Sequence, residues 1–137
     1  MDPATGRESE REPNMSDTTY DFGGGPVPAH RHLNGGGWVA DTARVDATAY
    51  VGPGAVVYGT AWVSGAAEVS GNARVSSAAR VHGSAVVSGD AWVYDRARVY
   101  DQARVYGDAA VYGDAAVYDR ARVSGTARVH SSAVVTK

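Results

Sequence analysis

From residue 37 onward the chain keeps a six-residue period that few folds can accommodate. Valine occupies every sixth position from Val39 to Val135, seventeen times without a miss. Alanine stands two residues before each valine from Ala43 to Ala133, and only the first such slot differs, as Gly37. The unit is Ala-x-Val-[Tyr/Ser]-[Gly/Asp]-x. Residues two apart on a strand point to the same side, so each Ala and Val face one way while the residue between them and the residue after Val face the other. The next two positions hold Gly, Asp, Ser, Asn and Thr, which suit turns, some with positive φ. A helix would not place apolar residues at i, i+2, i+6 and i+8 with a breaker at every corner.

One such strand buries nothing alone. Stacked coils bury a continuous Val/Ala column, with neighbouring strands at roughly 4.8 Å. Three hexads per coil give a prism in which residues 18 apart stack directly. Seventeen hexads then make between five and six coils, rising about 27 Å at that spacing. The expected fold is all-β, a single-stranded parallel β-helix (β-solenoid) of about six coils.

The hexads of residues 37–137 resemble the hexapeptide-repeat, left-handed parallel β-helix superfamily, which includes acyltransferases, γ-type carbonic anhydrases and uncharacterised repeat proteins with "ARVYG"-like units. The resemblance implies a left-handed, triangular coil. The usual family hexad puts Gly directly after the aliphatic residue. Here Tyr or Ser takes that place and Gly or Asp comes one later, so the chain looks more like the uncharacterised repeat group than the enzymes. The enzymes typically break the repeat with a long loop carrying a catalytic histidine, whereas no residue is inserted between Gly37 and Lys137.

The N-terminal quarter reads differently. Residues 1–19 are polar, acidic and without apolar periodicity, as expected of a disordered arm, with Met15 as a second candidate start. Residues 20–36 are rich in Gly, Pro and His. Val27 and Leu33 continue the six-residue frame backwards, so this segment is expected to form a capping coil, with Pro26 and Pro28 blunting its edge. At the other end, Val134 and Thr136 lie on a strand edge expected to be open to partners. The composition forces Val and Ala to build the core, because there is no Ile and only Leu33 and Phe22 of their kinds. No cysteine is present, which excludes a disulfide framework and a Cys-based zinc site. Residues 1–36 carry three arginines and six acids, and residues 37–137 carry nine arginines, one lysine and nine acids. Neither half has the basic excess of a nucleic-acid binder. Without a secretory or membrane-spanning apolar run, the expected location is cytoplasmic, with no membrane partner.

The 18-residue columns select the candidate residues. Arg44, Trp62 and Arg80 stack, as do Arg74 and Trp92 below Trp38 and Val56, forming cation–π ladders that brace the surface. Tyr94, Tyr100, Tyr106, Tyr112 and Tyr118 follow five consecutive valines and form an outward aromatic girdle around all three faces, with Tyr94 stacked on Tyr112 and Tyr100 on Tyr118. This is a lateral contact surface for protein or glycan, or else a set of good outer-strand residues stacked across coils. His82 and His130 are 48 apart and therefore lie on different faces. His30 and His32 lack a third ligand fixed by spacing. Asp90, Asp95, Asp101, Asp108, Asp114 and Asp119 lie at corners, where they tolerate the turn and pair with Arg96 or Arg120. No Ser/His/Asp arrangement or phosphate loop is present. No catalytic, metal or cofactor residue is assigned, and no cofactor is expected. The expected function is a structural, self-assembling scaffold, homo-oligomer or filament. Its interface is expected at the five tyrosines together with Val134 and Thr136. A glycan- or protein-binding module is the alternative, and a trimeric acyltransferase-like enzyme a more distant one.

Overall fold

The computed structural model describes residues 19–136. The arm expected over 1–19 lies outside the described residues except for Thr19. Strands β1 (Thr19–Asp21) and β2 (Pro26–Arg31) form an antiparallel hairpin, and β2 pairs antiparallel with β3 (Trp38–Ala40). The parallel solenoid runs from β3 to β19. The described residues contain no helix.

Three sheets run the length of the stack. The first continues from β3 through β6 (Val56–Val57), β9 (Arg74–Val75), β12 (Trp92–Val93), β15 (Ala110–Val111) and β18 (Arg128–Val129). The second holds β4 (Arg44–Val45), β7 (Trp62–Val63), β10 (Arg80–Val81), β13 (Arg98–Val99), β16 (Ala116–Val117) and β19 (Val134–Val135). The third holds β5 (Tyr50–Val51), β8 (Glu68–Val69), β11 (Val86–Val87), β14 (Arg104–Val105) and β17 (Arg122–Val123). Each parallel pair is in register at 18 residues, as in Val81↔Val99 and Val87↔Val105.

The inner column is the expected one. Twelve valines from Val39 to Val111 are almost wholly buried, and the alanines two before each valine have no exposed surface from Ala49 to Ala103. Each buried valine is worth about 1.5–3 kcal/mol over an exposed one. In the alanine slot of the first coil only glycine fits, since a Cβ on Gly37 would meet Val51 Cγ1 and the Gly52 carbonyl oxygen at 2.4 Å.

The corners are turns in which the alanine N–H donates to the carbonyl of the residue after the preceding valine, as from Ala97 to Tyr94 at 3.2 Å. The residue two after each valine has positive φ at every corner from Gly59 to Ser131. Eight of these are Gly, and the others are Ser77, Asp95, Asp101, Asp119 and Ser131.

The N-terminal segment departs from expectation. It caps the stack as an antiparallel hairpin instead of a coil, and the seventeen hexads behind it make the solenoid of about five turns. Val27 is 39% exposed and Leu33 95% exposed, so neither continues the inner column. Ala29 and His32 point inward instead. Reversal of strand direction resets which residues face the core, and the six-residue frame has no force beyond it. Pro26 and Pro28 sit in β2, covered by β1, so they do not guard an edge. The loop after β2 lies over β5 through bonds from Gly37 N to Val51 O and from Val51 N to Asn34 O.

Candidate functional site

The hexad sends two side chains outward per strand, and exact register turns each position into a ladder. On the second sheet the Arg44 and Arg80 guanidinium groups lie 5.9 and 5.6 Å from the Trp62 ring. On the first sheet Arg74 lies 5.8 Å from Trp92, and Arg31 lies 4.6 Å from Trp38. These are the ladders legible at 18-residue spacing, with Arg31 added by the hairpin.

The tyrosines go around all three sheets, in the stacks that the 18-residue offset gives. Tyr94 and Tyr112 stack on the first sheet at 4.9 Å and 6°, and Tyr100 and Tyr118 on the second at 5.0 Å and 8°. Tyr106, on the third, has Ser88 and Ser124 in the same slot of adjacent coils. Histidines extend both stacks. His82 lies 5.0 Å from Tyr100 with nearly parallel rings, and Tyr112 lies 5.3 Å from His130. His82 and His130 are thus on different sheets, as expected. Burial lowers the His82 pKa, opposed by Asp101 and reinforced by Arg80 and Arg98. Burial also raises the Tyr94 hydroxyl, with Tyr112 and Asp95 adding to it.

A second aromatic group joins residues of the hairpin to the first sheet. Tyr20 stacks on Trp38 at 4.9 Å, and Phe22 on Tyr58 at 4.8 Å. Trp92 donates from Nε1 to the nearly buried Ser76 hydroxyl at 3.2 Å and packs at 4.7 Å against Tyr94. The spacing did not expose the Trp92–Ser76 bond, because it runs diagonally across 16 residues.

The remaining polar candidates are spent locally. His30 Nδ1 lies 2.7 Å from Asp41 Oδ1, while the buried His32 donates from Nε2 to the Ala49 carbonyl at 2.8 Å. The two therefore do not converge. Arg96 Nε pairs with Asp114 at 3.0 Å, the partner expected for it. Corner acids accept the N–H of the next coil's corner, with Gly113 N to Asp95 at 3.0 Å and Asp119 N to Asp101 at 3.2 Å. Asn72 donates to Asp90 at 3.2 Å. The Thr136 hydroxyl donates to the Asp119 carboxylate. Among the described residues no group of three or more His, Cys, Asp or Glu could hold a metal ion.

Two recesses are open furrows beside the corners. One of about 550 Å³ is lined by Gly83, Ser84, Asp101, Gln102, Asp119 and Arg120. Another, of about 460 Å³, is lined by Ala78, Arg80, Arg96, Arg98 and Asp114. At the β17–β19 end each strand has a neighbour on one side only among the described residues, and Val134 is 58% exposed. Of the described residues, no helix is long and apolar enough to cross a membrane. Comparison with family models, with curated proteins and with solved structures returned no match.

Proposed function

We propose that this chain is a structural, self-assembling β-solenoid scaffold without catalytic activity. The observation that carries the reading is the ladder at β17–β19, whose strands, among the described residues, are paired on one side only and so leave N–H and C=O groups available to another chain. The regular stack behind that edge supports a scaffold role. The hexads follow one another without an inserted loop, and the outward rings and charges satisfy one another along the rod. On the resemblance of its hexads, we assign the solenoid to the hexapeptide-repeat superfamily, with a left-handed, triangular coil.

Light scattering over a concentration series up to the high micromolar range tests the reading. A mass that rises above that of one chain supports it. A constant single-chain mass throughout overturns it.

A protein-binding module is the second reading, favoured by Trp62 and Trp92, which are 40% and 39% exposed. Glycan binding has less support. Sugars stack on open ring faces, and the faces of Tyr94, Tyr100 and Tyr112 are covered by neighbouring rings.

A further inference from the structure

The third sheet differs from the other two in the order of its outward charges. Along the stack its outer column reads Tyr50, Glu68, Val86, Arg104, Arg122, each in register with the next. Glu68 is the one acid among the seventeen residues that stand between alanine (or Gly37) and valine, whereas seven arginines hold that slot. In that slot the first and second sheets carry arginine and no acid, although the exposed Asp46 follows Val45 on the second. In that slot the third sheet alone has both signs, and it has them at opposite ends, with a half-buried Val86 between.

We propose that this face binds a second copy of the same chain, with the two solenoid axes antiparallel and a two-fold axis along β11. This deepens the self-assembly reading and rests on it. The two-fold reverses the order of the column on the partner. Glu68 then meets the partner's Arg104, Tyr50 meets the partner's Arg122, and Val86 meets itself on the axis. Both copies use the same surface, so the contact closes as a dimer. Rungs about 4.8 Å apart match by symmetry.

The neighbouring column agrees independently. It reads Gly52, Ser70, Ser88, Tyr106, Ser124. The same rotation places Tyr106, 36% exposed, against the partner's Ser70, beside the partner's Gly52. Small residues lie where a ring needs room. Association also sets an acid beside the stacked like charges of Arg104 and Arg122. Docking with the axes parallel would set Glu68 against itself and Arg104 against itself, which is repulsive. A face of five two-residue strands is small for a stable interface, so the dimer is weak and salt-sensitive.

Charge reversal tests this. Glu68→Arg and Arg104→Glu should each weaken self-association by about tenfold or more, since each sets like charges together across the axis. Mixing the two variants should restore a dimer containing one of each, because both cross-pairs are then opposite in sign. Far-UV circular dichroism and thermal melts confirm that the variants fold. Should either fail to fold, Val86→Asp at the outward axial position replaces it, and should abolish the dimer by setting two carboxylates together. Wild type that associates indifferently to these changes, or single variants that weaken without rescue on mixing, overturn this face and leave self-assembly by another surface standing. Wild type that stays monomeric at every concentration overturns self-assembly itself.

Discussion

Val99 lies in the inner column between Val81 and Val117, with none of its surface exposed. Val99→Asp would bury a carboxylate with no partner, and should cost more than about 4 kcal/mol, read as loss of cooperative melting. Tyr100→Ser removes two ring stacks, with His82 and Tyr118, and should cost about 1–2 kcal/mol. Equal damage from the two would contradict the inward and outward assignment. His82 adds a pH test. Its pKa is lowered on folding, so the unfolded chain binds more protons near that range. Its contribution is complete above the ordinary value of 6.5 and is lost as pH falls through the folded value. The melting temperature should therefore drop on acidification below pH 6.5, and His82→Gln should flatten that drop. These positions were legible in the sequence because an 18-residue offset fixes a rung. His32 was not, since nothing in a six-residue frame announces a histidine donating inward to a carbonyl.

At the scale of the element, the corner decides what substitution the coil tolerates. Gly71, Gly89, Gly107 and Gly125 form one corner column with φ from 62° to 68°. A Cβ on Gly107 would lie 2.9 Å from the Gly125 nitrogen. Asp95 manages a comparable corner by accepting the Gly113 N–H through its side chain. Gly107→Asp should therefore cost clearly less than Gly107→Val, which should cost about 1–2 kcal/mol because a β-branched residue has no such compensation at positive φ. Chemical denaturation of the two variants checks the difference. The strand and turn of each hexad were readable because alternation and turn chemistry agree at every repeat. The hairpin was not, because Val27 and Leu33 fall in frame by spacing alone. Antiparallel pairing with β3, and the packing of Tyr20 on Trp38 and Phe22 on Tyr58, override that frame.

For the whole molecule, the sequence specified a rod and left its associations open. Stacking within one chain follows from a fixed period, whereas contact between chains depends on which outward residues share a sheet. The 18-residue offset already paired Tyr94 with Tyr112 and Tyr100 with Tyr118, whereas the histidines that extend those stacks emerged only with the three-sheet map. At the stack end, Val134→Lys with Thr136→Lys should weaken edge docking and leave third-sheet dimers unaffected, as read by sedimentation. Tyr112→Ser with Tyr118→Ser should reduce any lateral contact made by the first and second sheets. The ladder geometry also has a mechanical side. The backbone hydrogen bonds between coils, such as Arg80 N to Ala97 O and His82 N to Val99 O, join residues 17 positions apart and lie along the rod. Under tension from its two ends the molecule would not shear as a block. It would peel, each turn yielding in sequence and releasing about 60 Å of slack.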